Sequence, residues 1–477
     1  MPHRNLNVIC IAAFVSLLCY FANQKAQTAI VVAEALQMIE MNYVDPVDRD
    51  QLLISAMDGM TSMLDEHSEF IPREDYESFQ DNINQEFAGI GIFVEQPEPE
   101  KPVRVVTPLV GSPALEAGLL PGDRIIRVNG EDVSSMDLRE VSSRLKGQVG
   151  TTVDLIVLRG EEDSAKEVRM TVRRGRIALE SVIGDYRDEA NDWVYRLRDE
   201  PSIAYVRLTS FGEKTVEELE SVLQSLDNDF AGLVLDLRGN GGGLLNAAVD
   251  VTDMFLHAGP IVSTRTRGGK IESRFDAAPG TLVDTSKPVA ILIDNNSASA
   301  SEIVAAALQD NGRAAIVGTR SYGKGTVQNI LPLQFGRSAL RLTVARYYRP
   351  TGKNIHRSSD ATEDDEWGVT PDDGLQVEID TATLERLAKR WREASYPSLA
   401  TEPPQTSVSE QSASTSAEMD RPDQDSAGTT PEDQASGGEM PSAEDVPPAE
   451  DIDPQLRRAV EHLREVLNVD ARQPAAA

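Results

Sequence analysis

The stretch PVAILIDNNSASASEIVAAALQDNGRAAIVGTRSYGKGTVQ, Pro288 to Gln328, sets the fold. An apolar run rich in β-branched residues, PVAILIDN, reaches a polar turn. A run with apolar residues at helical spacing, SEIVAAALQD, follows, and then a second short strand, AAIVG. Strand, turn, helix and strand in that order predict two parallel strands joined by a helical crossover. The pattern repeats upstream: SIAYVRLTSF is a strand, TVEELESVLQSL a helix, AGLVLDLRG a buried strand and LLNAAVDVTDMFL a helix. TVQNILPLQ downstream reads as a further strand. Residues 176–397 are therefore expected to form an α/β core with a mainly parallel sheet.

The rest of the 477-residue chain is organised differently. Residues 1–25 hold a basic start and an apolar run, which fits a signal peptide or a membrane anchor. No small-x-small cleavage site stands near Ala22, which favours the uncleaved anchor and an extracytoplasmic, periplasmic-side location. Both cysteines, Cys10 and Cys19, lie in this run, so no disulfide frame or thiolate metal site is expected beyond it. Residues 26–84 carry helical periodicity, and His67 within them reads as structural. Residues 85–175 form a compact domain of short strands, with an Asn129-Gly130 hairpin signal and a cap at Ser112. Residues 398–452 are Ser-, Pro-, Glu- and Asp-rich and read as a disordered linker. Residues 453–477 resume as a helix behind Asp453-Pro454 and end in a tail. The net charge of −32 argues against nucleic acid as a partner, and 14 acidic residues against the single Arg421 fall between Thr401 and Asp453.

Two turns carry the candidate chemistry. In LVLDLRGNGGGLLNAAV, Leu233 to Val249, a strand ends in five residues of which four are glycine, and a helix begins. Such a turn lets backbone N–H groups approach a ligand beside a helix N-terminus, to hold a phosphate or to form an oxyanion hole. In the opening stretch, Ser299 to Glu302 is a capping box, Ser-x-x-Glu, and Ser297 and Ser301 are polar turn residues. The same geometry exposes the Ser299 hydroxyl next to the Ala300 N–H, as a nucleophile and an oxyanion donor would need. No histidine lies near this turn in the sequence. Lys324, in YGKGTVQ, is the alternative base: burial lowers a lysine pKa from about 10.4, and serine–lysine pairs are a variant of triad logic. Gln328, four residues on, would share a strand face with Lys324 and orient it without stabilising its charge. Asp310 reads as structural. GTRSYGKG, Gly318 to Gly325, nearly matches a phosphate-binding loop, but Gly325 stands where the hydroxyl residue belongs and a strand, not a helix, follows.

With both turns in view, the sequence resembles the C-terminal processing peptidases, or tail-specific proteases, over roughly residues 26–378 and again in DPQLRRAVEHL. The resemblance rests on LVLDLRGNGGGLL and on SASASEIVAAALQD followed by VGTRSYGKGTVQ. It implies Ser299 as nucleophile, Lys324 as general base, Gln328 as the residue orienting it, and the N–H groups of Ala300 and Gly242 as the oxyanion hole. LDEHSEFIPREDYESF resembles the segment that precedes the family's PDZ domain, with Glu66 where the family usually has Pro. FAGIGI to VNGEDV is similar to that PDZ domain, which places Gly89, Ile90, Gly91 and Ile92 at the terminal carboxylate of a peptide added along the domain's edge. Arg159 matches an arginine that couples ligand binding to the protease site. ARYYRPTGKNIH…WGVTPD resembles the strand and loop that close the core, with residues 357–366 inserted.

The implied function is an extracytoplasmic serine endopeptidase that captures apolar C-terminal tails and cuts upstream of them, with no cofactor and no metal. Its partners would be proteins with unstructured apolar C-termini and, through residues 1–25, the membrane; a homo-oligomer or an adaptor protein stays open. The competing readings are a PDZ adaptor with a silent core and an ATPase built on GTRSYGKG. The chain's own end, RQPAAA, is small and apolar enough to serve as a self-ligand.

Overall fold

The computed structural model describes residues 29–396 and 453–470, apart from 99–100, 161–163, 334–335, 359 and 363. The expected leader, acidic linker and self-ligand tail lie outside the described residues. The chain forms two compact units that do not follow sequence order. Of the described residues, one comprises those up to Asp81, Ser263–Arg274 and Gly325–Tyr348; the other comprises the rest.

In the first unit, a helix over residues 29–42 and the helix Arg49–Thr61 agree with the helical pattern of this region. Asp48 caps the second helix, accepting from the Asp50 N–H at 2.8 Å. A three-residue strand, Glu69–Ile71, interrupts the helical pattern before the helix Arg73–Asn84. It pairs antiparallel with Ala339–Arg341, and Ser338–Tyr348 also pairs with Thr326–Leu333. Three residues carry too little periodicity to be read alone, and this strand's partner lies some 270 residues away. The expected strand forms over Thr326–Leu333, but in this antiparallel sheet rather than the parallel one.

Among the described residues, the second unit holds two larger sheets and two two-stranded ones. Strands Ile92–Glu95, Arg104–Pro108, Arg124–Val128, Thr152–Arg159 and Lys166–Arg173 follow one another antiparallel, with Ile92–Glu95 at the edge. Asn129 (φ 52°) and Gly130 (φ 84°) make the hairpin turn, both left-handed as a type I′ turn requires. Ser112 caps the short helix Pro113–Glu116, as expected. Glu86–Gly89 pairs with Gly175–Ala178, so the chain enters and leaves this domain as two adjacent strands.

In the core, Ile203–Leu208, Gly232–Asp236, Val289–Ile293 and Ala315–Gly318 form a parallel sheet in that order, with Val182–Ile183 as an antiparallel edge. All residues of the three strands Ile203–Leu208, Gly232–Asp236 and Val289–Ile293 are buried, as continuous apolar strands covered on both faces should be. The helix Pro454–Asp470 supplies part of the cover: Leu456, Ala459, Val460 and Leu463 pack with Tyr205, Val234, Ala290, Leu292 and Val317. The candidate residues Ser299 and Gly242 follow the C-terminal ends of neighbouring parallel strands, where ligands bind in open α/β sheets.

Candidate active site

The serine turn is built around Asp294, the residue after the buried strand Val289–Ile293. The Ser297 hydroxyl accepts the Asp294 N–H at 2.9 Å, and the Asn296 N–H donates to Asp294 Oδ1 at 3.0 Å. Ser297 Oγ also donates to the Leu237 carbonyl, and Ser301 Oγ to the Asn240 carbonyl, each at 2.9 Å. Two of the three alternating serines are therefore committed to stitching this turn to the glycine turn. Ser299 differs. It precedes the helix Ala300–Asp310 at φ 56°, ψ −111°, and its N–H donates to the Glu302 carboxylate that completes the cap. Of the six described non-glycine residues at positive φ, four are Asn or Asp, which tolerate that region; Ser299 is not of that type. Strain of this kind costs of order 1–3 kcal/mol and persists where the surroundings over-determine it.

The glycine turn supplies those surroundings. Gly239 (φ 70°) donates its N–H to Asp294 Oδ1 at 2.9 Å, and the Asn240 carbonyl accepts the Ala298 N–H at 3.0 Å. Gly242 (φ 99°) comes so close that a Cβ there would lie 2.7 Å from the Ala298 carbonyl oxygen, 2.8 Å from Ser299 Cβ and 2.9 Å from the Ala300 nitrogen. The Gly242 N–H donates to Asn240 Oδ1 at 2.9 Å, so this donor is engaged by a side chain of its own turn. Ala300 is the first residue of its helix, and its N–H has no partner within the helix.

Glu302 joins the serine turn to the lysine loop. Its carboxylate is fully buried and accepts four donors: the Ser299 N–H at 2.8 Å, the Lys324 N–H at 2.8 Å, the Gly323 N–H at 2.7 Å and the Ser321 hydroxyl at 2.5 Å. Ser299 and Lys324 share one oxygen, Oε2, so their backbone nitrogens are no further apart than twice 2.8 Å. Burial raises the carboxyl to about 7, against the four hydrogen bonds, which lower it. Ser321 Oγ in turn accepts the Val369 N–H at 2.7 Å, so GVTPD backs the lysine loop.

The other candidates fall elsewhere. Gln328 belongs to the first unit, where its amide donates to Thr326 Oγ1 at 2.8 Å and to Thr343 Oγ1 at 3.1 Å. The strand starts at Thr326, after Lys324, and a bulge falls between Val327 and Gln328; strand alternation therefore does not relate Lys324 to Gln328. Asp310 pairs with Arg349 and accepts from Thr351; burial raises its carboxyl, but these partners outweigh that and hold it below the usual value. Gly89, Ile90, Gly91 and Ile92 form the lead into the edge strand. Ile90 is buried in the domain core, and Gly91 (φ 77°) sits where a Cβ would be 2.5 Å from Ser112 Cβ. Arg159 makes a two-point bond to buried Asp123, at 2.8 and 2.7 Å, and reaches the Gly118 carbonyl, all within its own domain. Among the described residues no His, Cys, Asp and Glu cluster could hold a metal ion.

Sequence reasoning missed the reach of Glu302, Asp294 and Asn240. For Glu302 a signal existed: it is the one carboxylate inside the apolar run Ala300 to Leu308, every residue of which is buried. An acidic side chain there must find internal donors.

The comparisons with known proteins assign these features to a protease with a PDZ domain. The model of peptidase family S41 matches residues 202–374, and a PDZ domain model matches residues 104–159. A carboxy-terminal-processing protease of Bartonella bacilliformis is 38% identical over 344 residues, which span 71% of this chain and 73% of that one. The carboxy-terminal processing protease CtpA of Bacillus subtilis is 33% identical over 68% of this chain and 66% of its own length. A solved photosystem II D1 C-terminal processing protease aligns with 74% of this chain and 93% of its own, at 27% identity and a TM-score of 0.41. The chain belongs to peptidase family S41, the carboxy-terminal processing serine proteases, and carries a PDZ domain.

Proposed function

We propose that the protein is a serine endopeptidase that cleaves proteins near unstructured apolar C-termini, with Ser299 as nucleophile and Lys324 as general base. The observation that carries this reading is the shared Glu302 oxygen, which holds the strained Ser299 backbone and the Lys324 backbone side by side. Ser299 Oγ attacks the carbonyl carbon while its proton passes to Lys324 Nζ. The tetrahedral oxyanion is met by the Ala300 N–H, with the Gly242 N–H joining once it leaves Asn240 Oδ1. The C–N bond then breaks, the lysine protonates the leaving amine, and water activated by the same amine releases the acyl group. The cycle needs Lys324 uncharged when it accepts the proton, which desolvation by bound substrate would favour.

The edge strand Ile92–Glu95 has one neighbour in its sheet, which suits addition of a substrate tail as a further strand, its carboxylate at Gly89 to Ile92. PDZ capture would raise the concentration of the tail near Ser299. Residues 1–25 would anchor the protein on the outer face of the cytoplasmic membrane. The test is mass mapping of peptides released from a substrate with an apolar C-terminus: the wild-type protein releases fragments and Ser299→Ala none. Identical fragment maps would end the proposal. Labelling of Ser299 by a fluorophosphonate excludes the silent-adaptor reading.

A further inference from the structure

The last described helix begins inside the core of the protease. Asp453 and Gln455, at its start, are buried and both bind Arg238, the residue just before the glycine turn. Asp453 Oδ1 accepts from Arg238 Nη1 at 2.9 Å and Oδ2 from Nη2 at 2.8 Å, while Gln455 Oε1 accepts from Nη1 at 3.1 Å. On the strand side, Asp236 accepts from Nε at 3.0 Å and from Nη2 at 2.6 Å. Every N–H of the guanidinium thus has an acceptor, and half the charge balance comes from 215 residues away in the sequence. A second cation, Arg207, lies over the Trp391 ring at 3.4 Å from its centroid and donates to the Arg238 carbonyl at 3.2 Å. Arg238 is thus held between two buried carboxylates, one of which is Asp453.

The path from this clamp to Ser299 is short. The Arg238 N–H is held by Asp236 Oδ1 at 3.0 Å; Gly239 and Asn240 then bind Asp294, Ala298 and Ser301, and Gly242 abuts Ser299. We propose that Asp453 is a positioning residue of the protease: the C-terminal helix fixes Arg238, and through it the glycine turn on which Ser299 is seated. Without Asp453 the buried Arg238 keeps one carboxylate and loses two of its acceptors, and the turn has a reason to move toward water.

This inference rests on Ser299 being the nucleophile. The experiment compares the full-length wild-type protein, Asp453→Asn and Ser299→Ala by three readouts: kcat and KM on a peptide with an apolar C-terminus, the rate of Ser299 labelling by a fluorophosphonate, and the thermal midpoint. Asp453→Asn is expected to lower kcat and the labelling rate together by about 10- to 100-fold, the scale of a misplaced reacting group, with KM changed less than about two-fold. A lowered midpoint with wild-type kcat and labelling would make Asp453 purely structural and overturn the proposal. If Asp453→Asn does not fold, Gln455→Met removes one acceptor and keeps the charge balance. A several-fold fall in kcat at constant KM then supports the proposal, and an unchanged kcat overturns it. Cleavage retained by Ser299→Ala would instead remove the nucleophile assignment beneath it.

Discussion

The two turns that follow adjacent parallel strands, Gly239–Gly243 and Asn295–Ser299, solve one geometric problem in opposite ways. Both reverse the chain from a buried strand into a helix, and both use positive φ. In the first, Gly239, Gly242 and Gly243 adopt it without a side chain to clash. In the second the strained position is a serine, tied down by Asp294, Asn240 and Glu302. A turn whose only task is connection has no use for that cost. Under the proposed function the strained serine marks where a hydroxyl is needed, and the glycines let a backbone come close to it.

The largest expected effects fall on the serine turn and its lysine loop. Ser299→Ala and Lys324→Ala should each lower kcat on a C-terminal peptide by at least about 10⁴-fold, as loss of a nucleophile or its base does. Lys324→Arg should fail as completely, because arginine does not give up its proton. Full activity in either lysine variant would leave the serine turn without its base. Next is Gly242→Ala, whose Cβ has no room beside Ser299. A stability loss of about 2–4 kcal/mol in urea unfolding and loss of cleavage are expected; a tolerated alanine would mean that the two turns do not depend on close approach.

Glu302 gives a smaller, pH-dependent effect. Its carboxyl is raised from 4.5 to about 7 by burial, so the native protein binds this proton more tightly than the unfolded chain. Its contribution to stability therefore falls as pH rises from 4.5 to about 7 and is flat on either side. Cleavage should run the other way: four donors require an acceptor-only carboxylate, so kcat should rise with pH through about 7. Glu302→Gln should flatten that limb and cost about 10- to 100-fold in kcat by leaving a buried donor unpaired. A limb unchanged in Glu302→Gln would assign it to another group. The smallest effect is on stability alone. Ser299→Gly should be inactive yet more stable by about 1 kcal/mol, because glycine relieves the strain. A less stable glycine variant would show that the serine turn is not strained.

The parallel core was legible because each strand–turn–helix step is local and its apolar periods span few residues. Ser299 at a helix start, the Asn129-Gly130 hairpin and the Ser112 cap were legible for the same reason. Glu302 was readable as a cap but not as the link to Ser321, Gly323 and Lys324, some 20 residues on. The Glu69–Ile71 strand was hidden because its pairing partner is distant. That TVQNILPLQ would leave the parallel sheet was also hidden, since a β-branched run looks alike in either sheet.

By itself the sequence determined which segments become strands and helices, and which residue types stand in the turns between them, because propensity and periodicity act over a few residues. Only the tertiary structure decided which turns meet. One carboxylate spans the serine turn and the lysine loop, and an aspartate near the chain's end closes around Arg238, because burying a charge forces it to find partners wherever the fold brings them.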